Sequence, residues 1–331
     1  NGSVKKATWK GGVGGLRELR RLWLGSLIGS VALLVLGLAQ VQAAPFAYVT
    51  NLLSNTISVI DTATNIVTAT VTLGGGYGVA VNPAGTFVYA TNHDNDTVSV
   101  IDASTNTVVA TVSAGDGPAG LAVHPDGTLV YVANFYSNDV SVIDTATNTL
   151  IDSVPVVGLY PQDVAVHPDG SRVYAVSVDT LSVIDSSTNM VIATVPVGGP
   201  YGVSVNPAGT RVYVANFFGT TVSVINASTN SVIDTVQVGN SPSVPAVNPA
   251  GSRVYVGNYG DDTVSVIDTA TNTVIKTVSV GDQPEGAVVH PAGTRVYVTN
   301  YVSNTVSVID TETDTVIATV LVGNGPASVA I

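Results

Sequence analysis

From Phe46 to Ile331 the chain repeats one pattern, in which Val, Ile and Ala alternate with Thr and Ser over short runs separated by turn residues. The unit that begins at Pro284 shows it clearly. Gly286 to His290 reads as one strand, and Pro291-Ala292-Gly293 as a tight turn, because Pro presets φ and Gly accepts positive φ at little cost. Arg295 to Thr299 is a second strand and Thr305 to Asp310 a third; Thr311 to Asp314 turn the chain into a fourth, Thr315 to Val322. The third strand alternates Val/Ile with Thr/Ser, as expected of a strand packed on one face.

The unit recurs along the whole body of the chain. A tyrosine in the pattern [AV]-Y stands at Tyr48, Tyr89, Tyr131, Tyr174, Tyr213, Tyr255 and Tyr297, at spacings of 41, 42, 43, 39, 42 and 42 residues. Four strands per unit with a period near 42 residues predict propeller blades rather than a helical solenoid. The phase of the ends predicts closure. The repeats open at Phe46 with strands two to four and stop after Pro326-Ala327-Ser328-Val329-Ala330, a lone first strand. The expected fold is therefore all-β: a seven-bladed β-propeller with four antiparallel strands per blade, closed by the C-terminal strand pairing with the N-terminal three. The outer strands remain edges, and Pro155, Pro196, Asp152, Asp234 and Lys276 are the residues expected to block them.

Tyr48-Val49-Thr50-Asn51 and Tyr297-Val298-Thr299-Asn300 are literal YVTN motifs, and Ser-Val-Ile-Asp followed by a Thr/Ser/Asn turn recurs in six blades, with Asn226 in place of Asp in the other. Residues 46–331 thereby resemble the YVTN-family β-propellers of archaeal surface-layer proteins and exported bacterial proteins. The resemblance implies the propeller fold and a surface or interaction role; it implies no particular chemistry, since propellers host many.

Charge narrows the partners. Residues 1–43 hold six of the eleven basic residues and one acid, Glu18, so the remainder carries 5 basic and 22 acidic residues, a net of −17. Such a body repels phosphate backbones, which argues against nucleic acid. The segment 1–43 reads as a signal peptide or N-terminal anchor: a basic stretch, an apolar run over 22–39, and Val41-Gln42-Ala43 as a cleavage site. Cleavage leaves residues 44–331 as a single propeller domain that is extracellular, cell-surface or periplasmic; an uncleaved leader would touch the membrane through 22–39. The absence of cysteine excludes a disulfide framework and a thiolate metal site.

Repeat-fixed polar residues are structural by expectation. Asp61, Asp102, Asp144, Asp185, Asp268 and Asp310 occupy one turn slot, where a carboxylate accepts bonds from its own turn. Arg172, Arg211, Arg253 and Arg295 share another and are expected to pair with acids or cover apolar surface. His124, His167 and His290 alternate with Asn82, Asn206 and Asn248 before a turn proline, which favours a turn role over a metal site. The residues that the repeat does not fix are the functional candidates. Tyr77, Phe135, Tyr136, Tyr160, Tyr201, Phe217, Phe218, Tyr259 and Tyr301 fall between strands two and three or between blades, connections that emerge on one face. They predict a ligand-binding face for a glycan or a protein at the cell surface, with no catalytic residues assigned and no cofactor required. Acids share that face, among them Asp94, Asp96, Asp116, Asp261, Asp262 and Asp282; they are expected to solubilise, and oxygen-rich loops also suit Ca²⁺. The alternative is a propeller hydrolase or lyase, lactonase-like or streptogramin-lyase-like, with Tyr160, Gln162, Asp163, Asp282 and Glu285 at the channel mouth.

Overall fold

Alternating β-branched residues between Pro/Gly and Asn/Asp turns form short strands with little else to compete, and each repeat folds into a four-stranded antiparallel sheet. The computed structural model describes residues 45–331, so the leader read at 1–43 and its apolar run at 22–39 lie outside the described residues. Seven such sheets form the blades, numbered here in chain order. In blades 2 to 7 strand order follows chain order from the inner strands, Gly76–Val81, Pro118–Val123, Asp163–Val166, Pro200–Val205, Pro242–Val247 and Pro284–Val289. Blade 1 takes its inner strand from the far end of the chain. Pro326–Ala330 pairs antiparallel with Phe46–Asn51 in the register Tyr48↔Ala330, Val49↔Val329 and Thr50↔Ser328.

The core lies between blades. One hydrophobic cluster fills each junction: Tyr48, Ile57 and Val59 of blade 1 meet Val88, Ala90 and Ile101 of blade 2, and Tyr297, Val306 and Val308 of blade 7 meet Ala47, Val49 and Ile60 of blade 1. All seven repeat tyrosines are buried. A fully buried Val or Ile contributes about 1.5–3 kcal/mol, and each third strand buries four consecutive residues. The third strand is thus covered on both faces, contrary to the one-face expectation. Its serine does not face water: Asn92 Nδ2 donates to Thr97 Oγ1 and Ser99 Oγ at 2.9 Å each, and Asn92 Oδ1 accepts from the Gly74 amide at 3.2 Å. The asparagine of the YVTN-like motif is a clamp that ties the second and third strands to the segment entering the blade. Blades 1, 3, 5, 6 and 7 repeat the clamp to the third strand through Asn51, Asn134, Asn216, Asn258 and Asn300. Blade 4 has Ser177 instead.

At the end of the ring carrying the tight turns, polar residues hold the fold. Asp61 Oδ1 accepts from the Ala63 and Thr64 amides at 2.8 and 3.0 Å, as expected for that slot. His124 binds Asp126 through Nδ1 and the Gly170 carbonyl of the next blade through Nε2 at 3.0 Å, and His167 does the same with Asp169 and Gly209. The arginines depart from expectation. Their main partners are carbonyls rather than acids: Arg211 donates to Thr269 O at 2.7 Å and Arg253 to Thr311 O at 2.8 Å, with Asp314 the one acid engaged, so each staples its blade to the next. Every outer strand carries a register shift against its neighbour, a bend that, with Pro155 and Pro196, discourages edge pairing.

Candidate functional site

The inner strands line the central channel, and their second and third residues are the part of the blade that the repeat leaves free. The second residue reads Tyr77, Ala119, Tyr201, Ser243, Glu285 and Ala327 in six blades, and its counterpart in blade 4, Gln162, immediately precedes the shortened strand. The third is glycine in four blades. A Cβ at Gly286 would stand 2.6 Å from the Ala327 carbonyl oxygen, so glycine here allows neighbouring inner strands to approach closely. Threonines stitch these strands together: Thr91 Oγ1 donates to Ala119 O of the next blade at 2.9 Å, and Thr299 Oγ1 to Ala327 O at 3.1 Å. Between blades 4 and 5 Asp163 takes that part, with Oδ2 accepting from the Val203 amide at 3.0 Å and Oδ1 from Val164 at 2.9 Å.

Three blades close the channel at this level. Tyr201 of blade 5 donates its hydroxyl to Glu285 Oε1 of blade 7 at 2.5 Å, Tyr77 of blade 2 reaches the same oxygen at 3.4 Å, and the two tyrosine hydroxyls are hydrogen-bonded to each other. With Gly78, Gly120, Gln162, Asp163, Val244, Ala327 and Ser328 they bound a cavity of about 40 Å³. Glu285 is 8% exposed. Burial pushes its carboxyl up to about 7, against the pull of the hydrogen bonds from Tyr201 and Tyr77. Although part of Asp163 remains accessible, desolvation likewise pushes it up to about 7 against the two amides that hold it. Burial, and then the Glu285 charge, push both phenols well above 10.

Around this floor stand the aromatic residues. Phe135 stacks on Tyr160 with ring centres 4.8 Å apart and meets Tyr136 edge-on at 4.9 Å; His93 lies 5.9 Å from Tyr77 and 5.7 Å from Tyr136. On the other side Phe217 contacts Tyr201, Phe218 and Tyr259 at 5.1, 5.7 and 5.6 Å. Tyr259 and Tyr301 are raised above 10, by burial first and then by the Glu285 charge. Phe218, Tyr136 and Tyr160 are 84%, 54% and 43% exposed; the other six are half-buried. Tyr160 shares its left-handed backbone with Ser241 of blade 6 and Gln283 of blade 7. It holds φ +55° in the slot before the inner strand where four blades place glycine, and its amide donates to Asn138 Oδ1 at 2.8 Å. A left-handed conformation costs a non-glycine residue roughly 1–2 kcal/mol, so the ring is kept here against a local preference.

The aromatic candidates gather at one end of the channel as two clusters joined through Tyr77 and Tyr201. Two of them sit elsewhere than expected: Tyr77 and Tyr201 belong to the inner strands, not to connecting loops, because the strands begin one residue before them. Of the alternative set, Gln162, Asp163 and Glu285 converge on the cavity, Tyr160 stands above it, and Asp282 lies apart on the exposed rim, its amide bound to Ser303. Several acids of this end cap backbone amides: Asp96 accepts from Gly117, Asp261 from Asn240 and Asp262 from Gln283. Among the described residues no three His, Asp or Glu side chains are placed together to hold a metal ion. The convergence of Gln162, Tyr201 and Glu285 at one repeat position was readable only by comparing that position across all seven repeats.

The model of the YNCE-like β-propeller family matches residues 245–326, and that of the seven-bladed β-propeller lactonases matches residues 38–184. Both are propeller families. No curated protein matches the chain significantly. Among solved structures, the chain is similar to the hydrazine synthase of Kuenenia stuttgartiensis, at 22% identity over 81% of this chain and 93% of that one, with a TM-score of 0.75. A functionally unknown protein of Desulfotomaculum acetoxidans DSM 771 is 19% identical over 86% and 98%, with a TM-score of 0.76. The dihydro-heme d1 dehydrogenase NirN is 16% identical over 87% and 75%, with a TM-score of 0.66. At these identities the likeness is one of fold.

Proposed function

We propose that the protein is an exported binding module of the YVTN type that recognises a glycan or a protein partner at the cell surface through the aromatic end of its channel. The observation that carries this reading is Tyr160, an exposed ring held at positive φ in a slot that four blades fill with glycine and two with the small or polar Ser241 and Gln283, and stacked on Phe135. Its stacking partner is another residue of the same end, and a flat partner gains from such a rigid aromatic platform. Exposed aromatic anchors contribute about 1–3 kcal/mol each when an interface buries them.

The test is a glycan array together with a panel of cell-surface proteins, read with the parent, a Tyr136/Tyr160/Phe218→Ala variant and an opposite-end Asp126→Ala variant. Partner binding should fall at least tenfold in the first variant and persist in the second. Equal binding by the parent and the aromatic variant would remove the basis of the proposal.

A second reading, a propeller hydrolase, is favoured by the lactonase-family match together with Glu285 near 7 in a cavity of about 40 Å³, since a general base works best with a pKa near ambient pH. Lactone hydrolysis by the parent that disappears in Glu285→Gln would establish it; no hydrolysis across a lactone series would dismiss it.

A further inference from the structure

We infer that the ligand group seated at the channel mouth is a primary ammonium ion carried on an apolar or peptidic body; this rests on the mouth being the recognition face. Three observations converge. The first is the distribution of charge. The five basic residues of 45–331 are Arg172, Arg211, Arg253, Lys276 and Arg295. The arginines open second strands at the opposite end of the ring, where Arg211, Arg253 and Arg295 are bound to Thr269, Thr311 and Thr62 carbonyls, and Lys276 stands in an outer strand. Among the described residues His93 is therefore the one side chain at the mouth able to become positive, while Glu285 and Asp163 both face the cavity.

The second observation is the state of Glu285. It is more than nine-tenths buried, its Oε1 takes the bonds from Tyr201 and Tyr77, and its Oε2 accepts no hydrogen bond among the described residues. A glutamine would satisfy the two tyrosine hydroxyls equally well without burying a charge. A carboxylate in this position lacks only a cation. The third observation is size and surroundings. A cavity of about 40 Å³ has room for a small head group such as –NH₃⁺, whose N–H can donate to Oε2, as a trimethylated nitrogen cannot. The rings of Tyr77, Tyr201, Tyr259 and Tyr301 offer electron-rich faces and hydroxyl acceptors to such a head group, and Phe135, Tyr160 and Phe217 offer apolar surface to its body. A neutral sugar would use the same rings and leave the Glu285 charge unanswered.

The experiment is calorimetric titration of the full chain at pH 8 with phenethylammonium chloride, its neutral counterpart 2-phenylethanol, and phenethyltrimethylammonium chloride. The phenethylammonium ion should bind at least tenfold more tightly than either control. Glu285→Gln, and independently Glu285→Ala should the first variant not fold, should erase that preference. Equal affinity for phenethylammonium and 2-phenylethanol, a preference that survives in both variants, or no binding of phenethylammonium would overturn the inference. A glycan or protein that still loses binding in the Tyr136/Tyr160/Phe218→Ala variant would then leave the mouth as the recognition face with a different ligand chemistry. If that loss is absent too, the face itself is wrong.

Discussion

Replacing Glu285 by Gln should make the protein more stable above neutral pH, which is the reverse of what removing a hydrogen-bonded charged group usually does. Folding moves this carboxyl from the ordinary 4.5 to about 7. Between those values the folded protein keeps a proton that the unfolded chain has lost, so stability is full below about 4.5 and declines as pH rises through 7. Each pKa unit is worth about 1.4 kcal/mol, which puts the cost of the ionised carboxylate at about 3 kcal/mol by pH 8. Asp163, taken from 3.8 to about 7, acts in the same direction, and His290, held below 6.5 by burial and Arg295, acts in the opposite one. Both remain in the variant and cancel in the comparison. Glutamine keeps an oxygen for Tyr201 and Tyr77, so the variant should match the parent near pH 5 and exceed it by about 3 kcal/mol at pH 8. Urea unfolding at pH 5, 6, 7 and 8 with linear extrapolation measures the difference. Parallel pH profiles for the two proteins would refute the buried, raised carboxyl and the electrostatic account of the mouth.

Other perturbations address the frame. Removing residues 326–331 strips blade 1 of the strand that contributes Val329 and Ala327 to the core, and should cost more than about 3 kcal/mol; a melting temperature within a few degrees of the parent would contradict the closure. Tyr160→Gly exchanges the left-handed cost for the loss of one stacked pair worth about 0.5–1.5 kcal/mol, so thermal stability should change little while partner binding falls; the reverse pattern would make Tyr160 a packing residue. Asn92→Ala leaves Thr97, Ser99 and the Gly74 amide without their shared partner and should destabilise by about 2–3 kcal/mol in denaturant titration. An effect below about 0.5 kcal/mol would show that the clamp does not hold the blade.

The ring itself was legible in the chain because a repeat multiplies every local signal. The spacing of Tyr48 to Tyr297 carried the blade count, and the orphan strand after Pro326 carried the closure. What one repeat could not disclose was what lies on either side of it. The serines of the third strand looked solvent-facing because alternation is a property of a single sheet, and only the neighbouring blades make both faces interior. Three arginine staples likewise join residues 55 to 58 positions apart, and the fourth, Arg295 to Thr62, joins residues 233 apart. The aromatic residues outside the repeat do gather at one end of the ring. The tie between Tyr77, Tyr201 and Glu285 spans blades 2, 5 and 7, and no local pattern encodes a meeting across a channel.

The most direct test of recognition at the aromatic mouth is ¹⁹F NMR of protein labelled with 3-fluorotyrosine, titrated with the partner found by the binding screen. Seven tyrosines are core residues and six lie at the mouth, so the label divides the molecule into a silent set and a reporting set. The account predicts that the resonances of Tyr77, Tyr136, Tyr160, Tyr201, Tyr259 and Tyr301 shift or broaden while the seven core resonances stay in place. Saturable binding that leaves all six mouth resonances unmoved would contradict it.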